Sequence, residues 1–187
     1  STIAEAFDKV GVAHLLCYEL SDRDGEGPAE AGLAEHEDYL SHGGQGHIGL
    51  HASFTVGDEL LYRSVELASK YGTGLHIHVA EDKADQDACL KDHHKRVVKR
   101  LHEFGGLDLP QTILGHCIHL DDEEKELIRS AGSWVVQNTE SNLNNNVGLA
   151  NYNQITEKVM LGTDGMHCDM LRSAKASFLS GQPVEGT

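Results

Sequence analysis

Residues 74–82 read Gly74-Leu75-His76-Ile77-His78-Val79-Ala80-Glu81-Asp82. In an extended strand successive side chains point to opposite faces, so His76 and His78 share one face and Leu75, Ile77 and Val79 the other. Two imidazoles therefore leave an otherwise apolar strand in the same direction. Glu81 stands just past the strand's carboxyl end, where barrel and open α/β enzymes build their sites. A histidine followed three residues later by a glutamate is a sensible pairing of metal ligand and proton shuttle; the competing reading is a pair of structural histidines.

Similar short apolar runs occupy residues 12–20, 48–54, 112–118, 133–137 and 159–162, with helical patterns between them at 29–43, 58–71, 82–104 and 121–131. Gly72, Gly105-Gly106 and Gly132 supply helix stops, and the acidic first turn at 121–124 suits a helix N-terminus. Alternating β and α units predict an α/β domain. Six strands with about five helices fit part of a (β/α)8 barrel, whose usual size is about 250 residues, so the count predicts an incomplete one. A doubly wound open sheet fits the same count. Residues 1–187 show no linker, short repeat or low-complexity tract and read as one domain.

The composition is that of a globular chain, 39% hydrophobic and 24% charged. A formal charge of −15 argues against a nucleic-acid partner, because phosphate contacts need clustered Lys and Arg. No apolar run reaches the ~20 residues of a membrane span, and the first residues show no signal-peptide pattern, so a cytoplasmic location without a membrane partner is expected. Cys17, Cys89, Cys117 and Cys168 are scattered without a C-x-x-C pair, as reduced thiols are. Thirteen histidines are the outlier.

Two further strand ends carry chemistry. Residues 113–121, ILGHCIHLD, end an apolar run in His116 and His119; alternation puts His116 with Ile118, and His116 is the better inward candidate. Residues 159–165, VMLGTDG, run into Asp164 between glycines that let backbone approach a site, although Asp-Gly is also a common turn. Histidine, histidine and aspartate at three successive strand ends, with Glu81 beside the first, suit Zn²⁺ or Fe²⁺ in a hydrolase that lowers the pKa of water to about 7.

The motifs HIHVAE (76–81), GHCIHL (115–120), NTESN (138–142) and LGTDG (161–165), in that order, resemble the amidohydrolase superfamily, in the branch of cytosine and guanine deaminases and triazine chlorohydrolases. LLCYELSDRDG (15–25), GLHASFT (49–55), HIHVAED (76–82) and NTESNLNNNVG (138–148) look closest to the aminohydrolases associated with selenium metabolism. The resemblance implies a TIM-type barrel of which this chain carries about strands three to eight. It implies His78 and Asp164 as metal ligands, Glu81 as proton shuttle, Asp164 also as general base, and His116 as a water-orienting residue or ligand. Asn138, Glu140, Ser141 and Asn142 are implied to face substrate, and His51 stands as a substrate contact or a core histidine.

The expected activity is hydrolysis of a C–N bond (deaminase type) or a chloro substituent on a small heterocycle. The family's first-strand His-x-His pair and bracketing β-sandwich have no counterpart here, which predicts weak metal retention by this chain alone. Apolar barrel surface left open predicts a homo-oligomer. The alternative is a metal-free, inactive barrel fragment acting as an interaction module.

Overall fold

The computed structural model describes residues 2–185. Its strands are β1 (Glu19–Leu20), β2 (Ile48–Ala52), β3 (Leu75–Val79), β4 (Ile113–His116), β5 (Trp134–Gln137) and β6 (Val159–Leu161). They form one parallel sheet in the order β1-β2-β3-β4-β5-β6. A doubly wound sheet reverses its strand order at a switch point. Strictly sequential order instead means that every crossover steps the same way, as around a barrel.

The helices are α1 (Thr2–Val10), α2 (Glu26–Ser41), α3 (Asp58–Tyr71), α4 (Lys83–His93), α5 (Val97–Glu103), α6 (Asp122–Ala131), α7 (Thr139–Asn144) and α8 (Met170–Glu185). Alternation decides where the core sits. Leu75, Ile77 and Val79 are fully buried, with Ile48, Leu50 and Leu114 in the same helix-covered core, while His76 and His78 on the opposite face are half-buried. Helix α3 buries Leu60, Leu61, Ser64 and Ala68, the stripe a 3.6-residue period brings to one side, and stops at Gly72 in the left-handed conformation (φ 63°).

Several expected elements change. The run at 12–20 shortens to β1 plus one bridge, Leu16 to Gly46. Between them the buried imidazole of His36 intervenes: its Nε2 accepts from the amides of Tyr18 (3.2 Å) and Gly49 (3.1 Å). The stretch 82–104, read as one or two helices, forms two, α4 and α5, divided where His94 turns left-handed (φ 56°). Helices α1, α7 and α8 have no counterpart in the expected pattern.

Candidate active site

His78 leaves β3 on the face away from the helices, and its Nδ1 lies 3.0 Å from Nε2 of His116. That meeting is not what the strand register alone would give. His116 pairs with Val79, a helix-facing residue, and Gly115 is the partner of His78. The backbone resolves the conflict by entering the left-handed region at His116 (φ 66°) and Cys117 (φ 54°), and the imidazole meets His78. Left-handed backbone at non-glycine residues costs about 1–3 kcal/mol each and persists where surroundings hold it. Here the Tyr152 hydroxyl donates to the His116 carbonyl (2.9 Å), and the amides of Ile118 and His119 both donate to Ala80 O. Asp164, after β6, is also left-handed (φ 51°).

His116 is fully buried and its tautomer follows from its neighbours. Nδ1–H donates to Asn142 Oδ1 (2.8 Å), which leaves Nε2 as the acceptor nitrogen, 3.0 Å from His78 Nδ1 and 3.3 Å from Asn138 Nδ2. Burial, then the neighbouring His116, lowers the pKa of His78 below the ordinary histidine value, which keeps it a neutral ligand. Burial alone would raise Asp164, but the Ser141 hydroxyl (2.6 Å), His78 and the Gly165 amide outweigh it and hold the carboxyl below its usual range.

The three donor atoms lie within 4.8 Å of one another. The His116 Nε2 to Asp164 Oδ2 distance is 3.8 Å. Bonds of about 2.0–2.1 Å at tetrahedral angles place ligand atoms about 3.3 Å apart, inside the observed spread. Two neutral imidazoles and one ionised carboxylate therefore fit a divalent ion such as Zn²⁺ or Fe²⁺, with a position left open. Glu81 stands beside them, its Oε2 3.6 Å from His116 Nε2 and its Oε1 held by Asn145 Nδ2 (3.1 Å).

A family model for the amidohydrolase family matches residues 1–184. The chain belongs to the amidohydrolase family. The 5-methylthioadenosine/S-adenosylhomocysteine deaminase of Caldanaerobacter subterraneus subsp. tengcongensis is 31% identical over 173 residues, covering 87% of this chain and 40% of that protein. The 5'-deoxyadenosine deaminase of Methanopyrus kandleri is 32% identical over 190 residues, covering 95% and 44%. The chain thus spans less than half the length of these curated relatives. A zinc-bound adenosine deaminase from Xanthomonas campestris superposes with a TM-score of 0.87 at 21% identity, over 98% of this chain and 45% of that one. A guanine deaminase from C. acetobutylicum with bound guanine gives 0.82 at 19%, over 97% and 49%. These likenesses establish the fold as part of the amidohydrolase TIM-type barrel.

Within that amidohydrolase frame the residues singled out in the sequence separate into two groups. Asn138, Ser141 and Asn142 all bond ligand candidates, and Asn145 joins them through Glu81. Positions 138, 141, 142 and 145 are i, i+3, i+4 and i+7, one face of α7 and its caps. Glu140 falls off that face; its carboxylate bonds His167 Nε2 (2.6 Å) and Arg172 Nε (2.7 Å), tying the Asp164 loop and α8 to α7. His51 is half-buried, held by Thr55 Oγ1 (2.7 Å), with its ring 5.8 Å from that of His78. His119 bonds the Val147 carbonyl instead of joining the cluster. Asn145 and Tyr152 were missed; the helical spacing within NTESNLNN would have found Asn145, whereas Tyr152 carries no local signal. Of the two glycines around Asp164, Gly162 permits close approach, since a Cβ there would sit 2.1 Å from Asn138 Oδ1, while Gly165 faces open space.

Proposed function

We propose that this chain carries the metal-binding and proton-transfer half of a hydrolytic deaminase acting on a C–N bond of a small heterocycle. The observation that carries the reading is the convergence of His78, His116 and Asp164 within 4.8 Å, with Glu81 3.6 Å from His116. The names of its curated relatives make aminopurine nucleosides the first substrates to test.

His78, His116 and Asp164 would hold a Zn²⁺ or Fe²⁺ ion, which when bound would supply a water of lowered pKa, toward about 7. Asp164, kept ionised by Ser141 and His78, accepts a proton from that water. Glu81, oriented by Asn145, delivers a proton to the ring nitrogen beside the amino-bearing carbon as water adds to that carbon; Asp164 then passes its proton to the amino group, which leaves as ammonia, while Glu81 takes back the proton of the added hydroxyl. His116, fixed by Asn142 and Asn138, holds its lone pair toward the reacting atoms. His51 contacts the substrate from the neighbouring strand end. A chloride leaving group would follow the same proton path. The substrate is the small-molecule partner, and a second copy of the chain the macromolecular one; the location is cytoplasmic. Among the described residues no helix is long and apolar enough to cross a membrane.

Elemental analysis of the purified chain and of His78→Ala, with an ammonia-release assay on adenosine-type substrates, tests the reading. One equivalent of metal in the parent, lost in the variant, is expected. Metal in neither protein would leave the inactive, metal-free module as the reading that stands.

A further inference from the structure

Beside the cluster lies a cavity of about 440 Å³, between the turn that follows β2, the first turns of α4 and the loop after α7. His78 and Glu81 line it, so it is continuous with the reacting groups. The rest of its wall is largely Ala52, Phe54, Ala84, Ala88 and Val147. Two carboxylates also border it: Asp82 caps α4 by accepting from the Ala84 amide (2.8 Å), and Asp85 Oδ2 accepts from the Ala80 amide (2.8 Å), while Asp85 Oδ1 is buried and takes no part in the accessible wall. What the cavity offers a ligand is apolar.

Two features argue for an occupant. Phe54, 57% exposed at the carboxyl end of the sheet, leaves a large apolar side chain on the cavity wall available to a ligand. Ala84 and Ala88, four residues apart on α4, are the two smallest side chains that could face the space without breaking the helix; larger residues there would fill it. The volume also exceeds one ring, since a cavity of roughly 150 Å³ already takes up benzene.

We infer that this cavity is a subsite for an apolar substituent on the heterocycle, an alkyl or aryl group on the carbon next to the ring nitrogen that faces Glu81. The subsite rests on the deaminase reading of the adjoining cluster. It sharpens the substrate class from a bare amino heterocycle to one carrying an apolar group at that position.

The test is calorimetric binding of two probes, 4-aminopyrimidine and 2-propyl-4-aminopyrimidine, to the full chain with one equivalent of Zn²⁺. The propyl probe is expected to bind roughly 10-fold tighter or more, from burial of its three carbons. Ala88→Phe, and independently Ala84→Leu, should abolish that preference while leaving affinity for the bare ring unchanged; position 84 is exposed and 88 half-buried, so neither change invades the core. Equal affinity of the two probes for the parent, or a preference that survives both variants, overturns the subsite alone, because the bare ring still binds. Binding of neither probe overturns the subsite together with the deaminase reading.

Discussion

Glu81 has one oxygen 3.6 Å from His116 Nε2 and the other on Asn145, and the proposed function assigns it the transfer of a proton. Replacing it with glutamine is expected to cut ammonia release about 10²–10⁴-fold while leaving metal content unchanged, measured by steady-state assay beside elemental analysis. Asn142→Ala removes the acceptor that sets the His116 tautomer and should weaken metal affinity about 10–100-fold in competition with a chelator. Asp85 supplies a pH effect outside the reaction. Burial pushes its carboxyl from 3.8 up to about 6, against the Ala80 and Phe54 amides that favour the ionised form. The folded state then holds a proton there more tightly than the unfolded chain. Its contribution to stability is full below about pH 4 and disappears as pH rises through about 6. Asp85→Asn cannot titrate, so the difference in unfolding free energy between parent and variant should change over that window and be flat above it.

At the scale of elements, the connections that hold the site loops are buried polar clamps. Arg100 is 1% exposed and donates to the Ser53 and Val56 carbonyls and to Asp58, fixing the turn after β2 that carries Phe54 and Thr55. Glu124 is 0% exposed; it accepts from the Val98 amide, Gln86 and Arg96 and closes a capping box with Asp121, joining α4, α5 and α6. Glu124→Ala leaves the Gln86, Val98 and Asp121 donors without their acceptor, while the half-buried Arg96 keeps Asp121 and the His119 carbonyl, and a loss of about 3 kcal/mol in denaturant unfolding is expected. The capping box was legible beforehand as an acidic helix start. The clamps were not, because Arg100 reaches residues 42 to 47 positions away and local pattern carries no such separation.

For the whole molecule, the sequential sheet leaves β1 and β6 as edges among the described residues. Apolar side chains lie exposed near both: Val12 at 49%, Leu15 at 48% and Tyr18 at 54% toward the first, and Leu161 at 38% on the second. Unpaired edges flanked by apolar surface favour pairing with another chain. Sedimentation equilibrium should show concentration-dependent self-association, weakened when Leu15 and Leu161 are both replaced by lysine. A strictly monomeric parent at high concentration would refute the expected oligomer.

The amino-acid order by itself determined the α/β class, five of the six strands to within a few residues, and His78, His116, Asp164 and Glu81 as the candidate site residues, which the fold brings together. Those properties are local: period-two alternation, a glycine stop and a polar residue at an apolar run's end are visible within ten residues. Tertiary structure alone decided the rest. Sequential strand order chose a barrel over a doubly wound sheet, and helical phase separated Glu140 from Asn138, Ser141, Asn142 and Asn145. The left-handed turn at His116 set its imidazole against His78 although the strand register pairs it with a core-facing valine. That turn is held by Tyr152, 36 residues further along the chain, and so it exists only once the fold has formed.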